Sequence, residues 1–384
     1  VLVATLMAPY LRKFGCYTVP DFIGTRYGGN LVRACAVFVL FIASFTYVTA
    51  QINATGTIAS RALGIPFEAG VWVGLISILI CSMLGGMRAV TWTQVAQYIV
   101  LIIAYLIPVF WISSNVGGGI FPHLMLGDEV ARLGELEQQF GLVKNSAADM
   151  KAAGVPGGLK YISGTHSGVP EGGMAVWKYL SLAICMMVGT ASLPHILMRY
   201  FTTPSVRAAR KSVAWSLFFI FLLYSSAPML ATLSKLALMD PNLPTGIIGK
   251  SISEVQSIEW VQRWSEVKQV FIADFNGDGI LQLNEWFMRG DVVVLATPEV
   301  AGLPFVISGL VFAGGMAAAM STADGLVLAI SNALSHDIYY KIIDPKADTA
   351  KRLLVARVLL VIIGAAGAYI ASFRLTSILG SVAW

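Results

Sequence analysis

Charge is scarce in this chain. Asp, Glu, Lys and Arg make up only 12% of its 384 residues, about half the share of a soluble globular domain, while 57% are apolar. Twenty-one acids and 26 bases cannot solvate a surface this rich in Leu, Ile, Val and Phe. A soluble fold, a disordered chain and a fibre are therefore excluded for the chain as a whole. So is a nucleic-acid binder, despite the net charge of +5. Cysteine is scarce too. Cys16, Cys35, Cys81 and Cys185 show no CxxC or metal spacing and read as small buried apolar side chains, not a disulfide or metal framework. The chain opens at Val1 and closes at Trp384, each inside an apolar run, and neither end reads as a secretory leader. It reads as a piece of a longer protein cut through two helices. HExxH, GxSxG and phosphate-loop motifs are also absent. What is left is an all-α, polytopic membrane protein embedded in a lipid bilayer.

Crossing a hydrocarbon core of about 30 Å takes roughly 20 apolar helical residues. Runs at 32–60, 67–84, 89–112, 175–198, 213–237, 303–334 and 352–371 meet that need, with 1–11 as the tail of one span and 375–384 as the start of another. They lack the alternation of barrel strands. Two of them, 32–60 and 303–334, are longer than the core and should tilt or project. Loops at 12–31, 85–88, 199–212 and 335–351, with the helix ends beside them, gather 14 of the 26 bases. The positive-inside rule makes that face cytoplasmic, and the expected location is the cell inner (plasma) membrane, crossed many times. Fifteen of the 21 acids fall in two polar insertions, 113–174 and 238–300, which this topology places outside.

Some polar residues sit where lipid should be. Asp324 lies well inside the run 303–334; such carboxylates face a cavity, an ion path or a partner. Just before it, Ser321 and Thr322 follow Ala318 by three and four positions and share a helical face with it. Two hydroxyls beside a backbone carbonyl suit a small hard cation, although they could equally back-bond to the previous turn. Ser321, Asp324, Ser331 and Ser335 recur at helical spacing as one polar stripe. In 175–198 the stretch Gly189-Thr190-Ala191-Ser192-Leu193-Pro194-His195 should break the helix, because Pro194 removes a donor. Half-helix ends at membrane depth suit ligand binding when they line a cavity; a plain proline kink is the alternative. Gln51, Asn53, Thr55 and Thr57 either bond between helices or line a cavity. His195 is a hydrogen-bonded helix-end histidine or a proton shuttle.

Four motifs, in order, resemble the sodium:solute symporter family. They are Thr18-Val-Pro-Asp21-Phe-Ile-Gly24-Thr-Arg26-Tyr27-Gly28, then Gly85-Gly86-Met-Arg-Ala-Val90-Thr-Trp92-Thr-Gln94-Val-Ala-Gln97, Pro194-His195-Ile-Leu-Met-Arg199-Tyr-Phe, and Gly314-Gly315-Met-Ala-Ala318-Ala-Met-Ser321-Thr322. Their wording is nearest to the acetate permease-like branch and to a bacterial large-subunit class found with a small membrane subunit. The resemblance implies two inverted five-helix repeats, a leucine-transporter-like fold here truncated at both ends, with the first core helix lying before Val1. It implies Na⁺ as coupling ion at Ala318, Ser321 and Thr322. It also implies a small organic solute near Gly189, Thr190 and Ser192, and Gln51 of the span 32–60 is the further residue expected to touch it. Many members carry Asp where this chain has Gln94, and this chain has Asp324 instead, which opens a role for Asp324 in coupling.

One further motif stands apart. Asp274-Phe-Asn276-Gly-Asp278-Gly279-Ile280-Leu-Gln282-Leu-Asn-Glu285 fits an EF-hand calcium loop. Asp274, Asn276 and Asp278 stand at positions 1, 3 and 5, Gly279 at 6, Ile280 at 7, Gln282 at 9 and Glu285 at 12. The stretch 254–273 can supply the entering helix, and an outside location favours a structural Ca²⁺. The alternative is an acidic turn. No enzyme emerges. The reading that results is a sodium-coupled symporter importing a short monocarboxylate such as acetate, against an ion channel or a proton-coupled solute transporter.

Overall fold

The computed structural model describes residues 7–116, 119, 121–140, 147–155, 160–161 and 173–373. The expected span 375–384, the first part of 1–11 and much of the insertion 113–174 lie outside them. A short helix α1 (Ala8–Phe14) stops at Gly15, whose φ of 73° is left-handed. Helix α2 (Val19–Tyr27) begins where the Thr18 hydroxyl accepts from the Asp21 amide, with Pro in its first turn. After it, α3 (Asn30–Leu63) runs 34 residues, or about 50 Å.

Helix α4 (Phe67–Asn115) is bent at Gly86, where φ 56° and ψ −163° leave the helix. A side chain would strain that backbone, so glycine is required. The bend divides it into limbs Phe67–Met83 and Ala89–Asn115. Helices α5 (Pro122–Phe140) and α6 (Ala147–Ala152) and strand β1 (Lys160–Tyr161) follow. The run 175–198, expected as one span with an internal break, is two helices. Helix α7 (Gly173–Ser192) ends before Leu193, which is non-helical at φ −58°, ψ 121°, and Pro194 opens α8 (Pro194–Thr202). Proline starts a helix readily, whereas inside one it removes a hydrogen bond and favours a break or kink. Ser205 caps α9 (Val206–Met239).

Then come α10 (Ile252–Ser257), α11 (Glu259–Glu266), β2 (Val270–Ile272), β3 (Trp286–Met288) and α12 (Val293–Val300). Helix α13 (Phe305–Asn332) continues as π-helical turns over Ala333–Ile343, so this span reaches nine residues past the expected end at 334. Asp348 caps the last helix, α14 (Thr349–Ala371). Among the described residues, six helices are long and apolar enough to cross a membrane.

Helix α13 is the hub, packed on α3, α4, α8, α12 and α14. Val48, Ile52, Val71, Ile78, Leu326, Ile330 and Ile363 fill the core around it. Helices α3 and α4 touch through glycine: a Cβ on Gly70 would stand 2.7 Å from the Gly56 carbonyl oxygen. Close backbone approach of this kind is how helices associate in lipid, where burial of apolar surface gives no drive. A second core, with Leu133, Leu236, Trp264 and Trp286, lies under the insertions. The two insertions share one sheet, because β3 pairs antiparallel with both β1 and β2.

Candidate cation and solute site

The turn Ala318–Thr322 concentrates oxygen. The Ala318 carbonyl accepts from the Ser321 hydroxyl at 2.8 Å and from the Thr322 hydroxyl at 3.5 Å. Of the two alternatives read from the sequence, back-bonding is the one these bonds show. Back-bonding uses each hydroxyl's proton and leaves its lone pairs on the face of the carbonyl. Gln94, buried on the second limb of α4, donates its side-chain amide to the Ser321 carbonyl and ties the turn to α4.

Asp324 has no exposed surface. Ser82, from the first limb of α4, donates to its Oδ1 at 3.4 Å, and Oδ2 has no hydrogen-bond partner. Gln94 Oε1, His195 Nδ1 and Arg199 Nε are likewise buried without one. These groups lie close together: a Cβ on Gly325 would stand 3.5 Å from both Arg199 Nη2 and His195 Cβ, and 3.6 Å from Gln94 Nε2. Buried polar atoms are normally paired. A carboxylate held by one hydroxyl is costly unless a proton or a cation neutralises it.

The polar stripe is not an open path. Ser331 back-bonds to Leu328 at 3.1 Å, and Ser335 donates to the Arg352 carbonyl at 3.0 Å. Gly189, Thr190 and Ser192 are exposed on α7, the two hydroxyls bonded to Met186 and Gly189 carbonyls. Gln51 is half-buried on α3. Of the broken helix it is α8 that packs on α13, bringing His195 edge-on to Tyr47 at a ring distance of 6.2 Å. Ser82 and Arg199 join the site unforeseen by the sequence. Ser82 sits in an otherwise apolar run, and Arg199 reads there as one more basic helix end.

The segment 274–285 is a hairpin connection between β2 and β3, not a helix–loop–helix. The helix expected to enter it stops at Glu266, Lys268 takes a left-handed φ of 57°, and Val270–Ile272 pairs as a strand. Asp274 accepts from the Gly277 and Gly279 amides at 2.7 and 3.1 Å. Asp278 accepts from Ile280 N at 2.7 Å and from Gln282 Nε2 at 2.9 Å. Buried Glu285 accepts from Phe275 and Gln282 amides, both at 2.9 Å. The Ile280 amide, aided by Asn276 and Gln282, holds the Asp278 carboxyl below its usual range.

The family model of the sodium:solute symporter family matches residues 1–250 and 292–379, leaving the loop 274–285 outside it. An uncharacterized symporter of Cupriavidus necator is 39% identical over 98% of this chain and 66% of its own length. A monocarboxylic acid transporter of Corynebacterium glutamicum is 25% identical over 94% of the chain and 56% of its own length. Among solved structures, a Na⁺-coupled sialic acid symporter in a substrate-bound outward-open state superposes with a TM-score of 0.63 at 16% identity, covering 97% of this chain and 65% of the other. The chain thus spans about two thirds or less of the relatives it matches.

Proposed function

The chain belongs to the sodium:solute symporter family, and we propose that it forms the transport core of a sodium-coupled symporter that imports a small organic solute, a short monocarboxylate such as acetate. Its fold is the leucine-transporter-like inverted repeat of that structural neighbour, and its relatives are transporters, not enzymes. The observation that carries the reading is the Ala318–Thr322 turn, where the Ala318 carbonyl and two hydroxyls share one helix turn, tied to α4 through the Ser321 carbonyl by Gln94, on the helix that carries the fully buried Asp324. Sodium prefers such hard oxygen ligands. Asp324 supplies the fixed charge that makes cation entry favourable, and Ser82 orients it.

The break at Leu193 starts a second helix, α8, whose positive dipole end favours an anion. Gly189, Thr190 and Ser192 on α7 and Gln51 on α3 complete the solute's surroundings. The relative named for monocarboxylic acids supports that solute class. The basic loops face the cytoplasm and both insertions face outward. The loop 274–285 takes a structural Ca²⁺ on Asp274, Asn276, Asp278, Ile280, Gln282 and Glu285, and a small membrane subunit joins the complex. Proton coupling is the second reading, favoured by the unpartnered Oδ2 of Asp324. Uptake into proteoliposomes, with sodium and proton gradients imposed separately, tests the two. Accumulation driven by sodium supports the first, and accumulation driven by protons alone replaces it with the second.

A further inference from the structure

Beyond α13, the π-helical turns carry a different cluster. His336 Nε2 lies 3.7 Å from Asp21 Oδ2, and Asp21, His336 and Asp337 bring one ligand atom each within 4.8 Å of one another. Among the described residues no other group of three acids, imidazoles or thiols does so. Asp337 is fully buried; Thr18 donates to its Oδ2 at 2.5 Å, while Oδ1 accepts no hydrogen bond. His336 Nε2 is also buried without a hydrogen-bond partner. Arg33 reaches between the acids, 3.2 Å from Asp21 and 3.6 Å from Asp337. Lys341 and Arg352 lie over the Tyr340 ring, which packs against His336. Two carboxylates thus meet one guanidinium at ion-pair distance.

We propose that Asp21, His336 and Asp337 form a binding site for a divalent transition-metal ion, and that Arg33 is the tethered cation that occupies it when the ion is away. The donor set carries the choice of ion. One imidazole and two carboxylates suit Zn²⁺ and its neighbours, whereas Ca²⁺ and Mg²⁺ take oxygen alone. The spacing is close to what the ion needs. Ligands about 2.1 Å from a tetrahedral centre stand roughly 3.4 Å apart, so the pair at 3.7 Å is nearly placed and the widest separation must shrink by about 1.4 Å. A shift of Arg33 allows that. Cys16 stands beside Asp21 but lies outside the group of three. A bound ion would clamp α2 to the helix that carries the Ala318–Thr322 turn; on the symport reading, such a clamp slows the transport cycle.

The binding test does not depend on transport. Zn²⁺ is titrated calorimetrically into purified full-length protein in detergent, with excess Ca²⁺ present to fill the 274–285 loop. Wild type should bind one Zn²⁺ more than His336→Ala. Arg33→Gln keeps all three ligands and removes a competing unit charge, so it should bind about tenfold more tightly. Mg²⁺ in place of Zn²⁺ should give no such difference. Equal Zn²⁺ binding by wild type and His336→Ala, or weaker binding by Arg33→Gln than by wild type, overturns the proposal and leaves the cluster an ion-paired latch.

Discussion

The side-chain amide of Gln94 donates to the backbone carbonyl of Ser321, joining two helices across 227 positions of sequence. The Ser321 carbonyl has a second lone pair for it, so the bond ties α13 to α4 within a continuous helix. It fixes the turn on which the Ser321 and Thr322 hydroxyls sit, and it leaves Gln94 Oε1 free beside Asp324.

Replacing Ser321 and Thr322 together by Ala should raise the sodium concentration for half-maximal uptake about tenfold or more, each oxygen contributing ~1 kcal/mol. The maximal rate at saturating sodium should change less. A sodium titration of uptake by well-expressed variant protein reads this directly; an unshifted curve removes the turn from the ion site.

Asp324→Asn preserves the acceptor for Ser82 and removes only the charge. Coupled uptake should fall about 5- to 150-fold, the span of a coupling free energy of ~1–3 kcal/mol, while protein abundance stays level. Normal uptake at every sodium concentration and pH would make Asp324 structural.

Gly70→Leu should be poorly tolerated. The Gly56 carbonyl oxygen and the Ser60 amide, 2.7 and 3.1 Å from the added Cβ, are backbone and cannot swing aside. Forcing α3 and α4 apart should lower stability by ~1–3 kcal/mol. Thermal unfolding in detergent, followed for this variant and for Gly134→Leu, where the same construction meets open space, separates packing from mere bulk.

Calcium should protect the insertion around 274–285 from protease, with a midpoint of about 10⁻⁴–10⁻³ M as in extracellular modules. Asp278→Ala should abolish that protection without touching the sodium dependence of uptake. Asp278's carboxyl is held below its usual value. Its contribution is therefore complete above about pH 3.9 and disappears as pH falls through the lowered folded value. Protection at pH 5 should match that at neutral pH. A cleavage pattern indifferent to several millimolar calcium would leave only an acidic turn, as would protection already gone at pH 5.

The membrane class and the break at Pro194 could be read from the chain because each rests on a local rule, apolar run length and a missing backbone donor. The oxygen-rich turn was visible for the same reason, since three and four residues always share a helix face. What spacing could not show was partnership. Ser82 meets Asp324 across 242 positions and Thr18 meets Asp337 across 319, and nothing local to any of these residues encodes the encounter. The calcium motif misled on its flank. The Asp/Asn/Gly pattern describes a turn, but Lys268 and the pairing of Val270–Ile272 with Trp286–Met288 decide that strands enter and leave it. The π-helical end of α13 was equally silent, and with it the Asp21, His336 and Asp337 cluster.

Sodium bound on the Ala318–Thr322 turn should drive solute uphill. Reconstituted full-length protein, offered a panel of labelled short monocarboxylates under an inward sodium gradient and then under an equal potassium gradient, tests it most directly. At least one monocarboxylate should accumulate above its external concentration with sodium, and collapse to equilibrium when a sodium ionophore is added. Uptake of every solute that is equal in sodium and potassium would contradict the account.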